Sequence, residues 1–139
     1  MRGYLLDTNV ALIALTSPEK LPRAVRRALL AGPNVLSVVV YWEVLLKSMK
    51  GALKIGDPRT WWRDAIEQLA ATPLALRAEH LDGIYILPPI HRDPFGRVLI
   101  AQAAAEDRIR SHAPFIARQR VGRRLSALAW FLWIAARPR

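Results

Sequence analysis

The run Tyr4-Leu5-Leu6-Asp7-Thr8-Asn9 constrains the chain more than any other stretch. An apolar run stops on a carboxylate, two small polar residues follow, and Val10-Ala11-Leu12-Ile13-Ala14-Leu15 resumes as a helix. A short buried strand feeding a helix is the opening of an α/β unit. In open α/β sheets ligands bind beyond the carboxyl ends of the strands, and Asp7 falls at such a place. A helix N-cap is the plain structural reading of the same residue. Its role therefore turns on whether other acids converge on it.

The rest of the chain alternates in the same way. A turn over 16–22 leads to a basic helix over 23–30, whose Val25, Ala28 and Leu29 recur at helical spacing and leave the arginines on the opposite face. Ala31-Gly32-Pro33-Asn34 stops it, Val35-Leu36 starts a second strand, and Ser37 is a good N-cap for a helix over 38–50. Asp57-Pro58 opens another helix containing Trp61 and Trp62, Thr72 to Leu76 reads as a third strand, and a helix follows over 78–86. Asp93-Pro94 begins a strong helix through Ala105. Strands alternating with helices predict a parallel sheet with helices on both faces. Beyond residue 107 the expectation is a strand over 108–111, a short helix over 114–118 and an apolar docking helix over 125–136. That last stretch is too short for a bilayer, which takes about 20 residues.

Composition narrows the function classes. At 139 residues, with 53% hydrophobic and 23% charged residues, the chain is one globular domain. It has no cysteine, so disulfides and thiolate metal sites are excluded. A cytoplasmic protein without a secretory signal is expected, because no basic segment precedes a long apolar one at the N-terminus. The net charge of +10 is unevenly placed: residues 1–107 hold 13 Lys/Arg and all 11 acids, and residues 108–139 hold eight arginines and no acid. Most of the basic excess thus belongs to the tail rather than to the body of the domain.

Three acids stand in settings that suggest chemistry. Asp7 follows a strand. Glu43 lies among apolar neighbours, Trp42 and Val44-Leu45-Leu46, where an unpartnered buried carboxylate costs several kcal/mol; its bland alternative is a surface pair with Lys47, worth about 0.3–0.5 kcal/mol. Asp93, before Pro94, suits both a helix cap and a metal ligand. Arg97, in the first turn of the same helix, could face a phosphate or solvent. Acids from separate elements, without Cys, suit a hard oxygen-ligated cation, Mg2+ or Mn2+. Such an ion polarises phosphate and activates water, which points to phosphodiester hydrolysis.

Taken together, Leu5-Leu6-Asp7-Thr8-Asn9, Ser37 through Trp42-Glu43-Val44 with Lys47, and His91-Arg92-Asp93-Pro94-Phe95-Gly96-Arg97-Val98-Leu99-Ile100-Ala101-Gln102-Ala103 resemble the PIN-domain family, specifically the VapC-like toxins of toxin–antitoxin pairs. The resemblance covers residues 3–107 and continues less clearly to about 121, so 1–121 is taken as the PIN-like domain and 122–139 as an atypical Arg-rich, apolar tail. It implies a three-layer α/β/α fold with a parallel sheet of about five strands. It also implies a magnesium-dependent endoribonuclease, cytoplasmic, often a homodimer and held inactive by a cognate antitoxin. On this pattern Asp7, Glu43 and Asp93 hold the metal and carry catalysis. Thr8 and Asn9 with Arg97 contact water or the RNA substrate.

The match is incomplete at two acids. The family's third acid usually stands in an Asp-Pro-Phe-Asp-Arg run, where this chain has Asp93-Pro94-Phe95-Gly96-Arg97; a fourth acid falls on Ala113. Losing carboxylates removes charge neutralisation and fixed ligands, although magnesium tolerates water in their place. Two readings follow: a VapC-like ribonuclease with an impaired or rearranged site, or a catalytically degenerate PIN domain that binds antitoxin or RNA.

Overall fold

A computed structural model describes residues 4–87 and 93–109 together with the strand segments 115–118 and 130–133. Strand β1 (Tyr4–Leu6) runs straight into helix α1 (Thr8–Thr16), and Asp7 is the extended residue between them. A single 3-10 turn at Pro18–Lys20 leads to α2 (Arg23–Ala31). Val25 and Ala28 are its buried residues, as the helical spacing requires. Gly32, at φ 52°, closes that helix in the left-handed region, where a Cβ is disfavoured.

Strand β2 (Asn34–Ser37) passes directly into α3 (Val38–Met49), with the Ser37 side chain accepting from the Val39 amide as the N-cap. Helix α4 (Pro58–Gln68) is capped by Asp57, which accepts from the Arg59 amide, and has Pro58 at its first position. Strand β3 (Ala71–Leu74), α5 (Ala78–Ile86) and α6 (Pro94–Ile109) complete the well-packed body.

Strands β1, β2 and β3 are parallel, in register through Leu6↔Leu36 and Ser37↔Leu74. Their carboxyl ends therefore open on one edge, where Asp7 and Ser37 leave the sheet side by side. The core is built on Leu6, Leu36, Val10, Val39, Val40 and Val44, all buried, with Val98, Leu99 and Ala103 of α6 packed into the same cluster. Each fully buried side chain of this size contributes about 1.5–3 kcal/mol.

The tail corrects the sequence reading. Residues 108 and 109 belong to the end of α6 rather than to a strand, and residues 115–118 form strand β4 (Phe115–Arg118) instead of a helix. A strand, β5 (Trp130–Trp133), stands within the stretch expected to be a docking helix. β-Branched and aromatic residues suit a pleated surface, and sheet edges were available to pair them. The strand order is β3-β2-β1-β4-β5, with β4 parallel to β1 through one residue pair and β5 antiparallel to β4. Strands β1 to β3 carry the core; with β4 the parallel strands number four and β5 is antiparallel, so the expectation of about five parallel strands is corrected to that extent. No helix among the described residues is long and apolar enough to cross a membrane.

Candidate active site

Asp7 is held before any ligand arrives. Its Oδ2 accepts hydrogen bonds from the backbone amides of Asn9 at 2.6 Å and Val10 at 3.3 Å, and the residue is 5% exposed. These are two of the orphan donors at the start of α1, and their dipole favours the carboxylate. The cap and the strand-end placement therefore coexist in one residue. Asn9, predicted to touch substrate, is partly buried and gives its amide to Asp7.

Glu43 reaches the same edge from α3 and is 7% exposed. Its Oε2 accepts from Thr8 Oγ1 at 2.5 Å, and its Oε1 pairs with Lys47 Nζ at 2.6 Å. The pair with Lys47 and the inward-facing carboxylate, set against each other in the sequence reading, are both present. The helix turns Glu43 inward while Lys47, one turn later, keeps its stem at the surface. Through Thr8 the first turn of α1 is tied to Glu43, so the two acids share one neighbourhood.

Asp93 caps α6, accepting from the Phe95 amide at 3.3 Å and the Gly96 amide at 3.2 Å. Phe95 meets Trp42 edge to face at 5.0 Å, which brings the start of α6 against the turn of α3 that bears Glu43. Among the described residues no three His, Asp or Glu side chains group to hold a metal. Gly96 leaves little space: a Cβ there would stand 3.2 Å from Asp93 Oδ2.

Arg97, expected to face a phosphate or solvent, makes contacts within the fold. Its Nη2 donates to the carbonyls of Ile84 at 3.2 Å and Leu87 at 3.3 Å, satisfying orphan acceptors at the end of α5. His91, Arg92 and Ala113, all part of the motif comparison, lie outside the described residues.

A buried polar chain behind the acids was missed in the sequence. Ser37 Oγ donates to Gln102 Oε1 at 2.5 Å, Gln102 Nε2 lies 3.4 Å from the Ala75 carbonyl and 3.3 Å from His80 Nδ1, and His80 Nε2 lies 2.9 Å from Glu106 Oε1. The Arg77 amide donates to His80 Nδ1, so the imidazole proton sits on Nε2 and points to Glu106. Arg77 also pairs with Glu106 through its guanidinium. Burial alone raises the Glu106 pKa, but the hydrogen bonds from His80 and Arg77, with the Arg77 charge, outweigh it and hold the carboxyl below its ordinary range. Ser37, His80 and Gln102 are wholly buried. The one sequence signal was Gln102, a long polar side chain inside the apolar run Val98 to Ala105.

The carboxylate oxygens of Asp7 and Glu43 suit a hard divalent cation. Magnesium is commonly bound through one or two carboxylates, with water and substrate oxygens completing its shell. The PIN domain family matches residues 4–112, and the chain belongs to that family. PIN domains are generally nucleases. No curated protein and no solved structure matches the chain.

Proposed function

We propose that this protein is a magnesium-dependent endoribonuclease of the VapC toxin type, hydrolysing RNA phosphodiesters at the carboxyl edge of its sheet. The observation that carries the proposal is the coupling of Asp7, after β1, to Glu43, on α3, through Thr8. Asp7 and Glu43 would hold the ion, with Mn2+ as an alternative, and Asp93 is the proposed third carboxylate. When bound, the ion supplies charge neutralisation at phosphate and lowers the pKa of a water.

The chain's own residues do the positioning. Two amides fix the Asp7 carboxylate, Thr8 fixes one oxygen of Glu43, and Lys47 balances the charge of the other. Asn9, half-buried beside Asp7, is the proposed substrate contact, while Thr8 is buried and acts through Glu43. Arg97 supports this site indirectly, by tying α5 to the first turn of α6. A cognate antitoxin and a second copy of the chain are the proposed protein partners, and the cytoplasm the proposed location. The PIN unit is taken to run to about residue 121.

A second reading is favoured by one observation: Gly96 stands where the family pattern has an acid, and no third carboxylate joins the pair among the described residues. On that reading the domain binds antitoxin or RNA without cutting. Incubating the purified chain with transfer, ribosomal and messenger RNA, with and without magnesium, separates the two. The ribonuclease reading predicts magnesium-dependent cleavage that Asp7→Asn removes. RNA left intact at every magnesium concentration contradicts it and favours the binding module.

A further inference from the structure

Helix α2 carries a charge pattern that its own fold does not use. Arg23, Arg26 and Arg27 are all exposed, at mutual spacings that place them on one side of the helix. Arg23 is the first helical residue, at the positive end of the helix dipole, and no acid stands in that first turn. The Pro22 cap offers no side-chain hydrogen bond. Like charges at these spacings repel one another, and cations at a helix N-terminus oppose the dipole.

Elsewhere among the described residues some basic side chains are paired, while Lys20, Lys50, Lys54 and Arg63 make no ion pair. Lys47 meets Glu43, Arg59 meets Asp57, and Arg77 meets Glu106. Among the described residues Arg23, Arg26 and Arg27 make no ion pair and no side-chain hydrogen bond. The sequence holds no acid beyond Asp107, so the long tail brings only more arginines. The three exposed arginines are thus open to a polyanionic partner.

We propose that the Arg23–Arg26–Arg27 face of α2 docks the phosphate backbone of RNA. Guanidinium groups match phosphate by charge and by their forked donors, and a backbone bearing a charge at every nucleotide suits a row of cations along one helix. The identity of the polyanion rests on the ribonuclease reading above; the presence of an unneutralised cationic face does not.

The test is metal-free binding of a labelled single-stranded RNA oligonucleotide across a salt series. It uses the full chain and the triple variant R23Q/R26Q/R27Q. The triple variant is expected to lower the slope of log affinity against log salt by about 2, three contacts at about 0.7 each. Its melting temperature should be equal or higher, because repulsion is relieved at exposed positions. An unchanged slope in the triple variant, no RNA binding by the unmodified chain, or competition by poly-glutamate equal to that by RNA of the same total charge would each overturn the proposal. Arginine-dependent binding without cleavage on adding magnesium would instead sink the ribonuclease reading and leave this surface standing.

Discussion

At the scale of single residues, the site is a matter of who holds each carboxylate. Asp7 was legible because the strand-to-helix junction is local, and Glu43 because an acid among Trp42 and Val44 is conspicuous in one dimension. Arg97 was not, since the carbonyls it satisfies belong to another helix and leave no mark near it in sequence. Thr8 is the residue whose importance rose most, from a water-orienting candidate to the partner of Glu43. Replacing it with alanine strips a buried carboxylate of a charge-assisted hydrogen bond. Urea unfolding should show a loss of about 1.5–3 kcal/mol, and Thr8→Ser should recover most of it. A loss no larger than that of a surface substitution would mean the bond is not made in solution.

Gly96 gives the complementary experiment. Aspartate there adds a carboxylate in the first turn of α6, where the dipole favours it. Its Cβ requires the Asp93 side chain to yield by a few tenths of an ångström. Magnesium-dependent cleavage by Gly96→Asp should exceed that of the unmodified chain by about tenfold or more, in line with what neighbouring groups contribute to metal sites. Equal rates would show that the existing acids already suffice.

Among the elements, the helices were the easiest to foresee. Helices α2 to α6 follow apolar periodicity with Ser37, Asp57 and Asp93 as caps, all of them local signals. The last strands escaped the sequence reading because pairing, not local propensity, decides whether an apolar run such as Trp130 to Trp133 becomes helix or strand. The polar chain from Ser37 to Glu106 escaped for a related reason: its members come from β2, α5 and α6 and are neighbours only after folding. It ties the cap of the Glu43 helix to the helix that Asp93 begins. Gln102→Leu should cost about 1–3 kcal/mol in urea unfolding by leaving buried polar partners unsatisfied.

The outer end of that chain titrates. The folded-state pKa of Glu106 lies below the ordinary value of 4.5, so its contribution is present above that value and is lost as pH falls through the lower folded-state pKa. Melting temperatures between neutral and acid pH should therefore fall less steeply for Glu106→Gln than for the unmodified chain. Parallel curves would remove the Glu106 contribution.

For the molecule as a whole, a five-strand sheet, parallel except for β5, has Asp7 at the carboxyl end of β1, and the residue after it, Thr8, bonds Glu43. That much followed from the order of strands and helices in the sequence, and membership of the PIN family agrees with it. The degree to which a third acid takes part depends on side-chain geometry at the start of α6, which no pattern of residue types encodes. The central claim is that Asp7 and Glu43 form a metal-dependent ribonuclease centre. Cleavage of a defined RNA should therefore be measured against magnesium concentration for the unmodified chain and Asp7→Asn. The account predicts saturable, magnesium-dependent cleavage that falls at least about a hundredfold in the variant, the scale of losing a principal charge-stabilising group. Cleavage that persists unchanged in Asp7→Asn would contradict it.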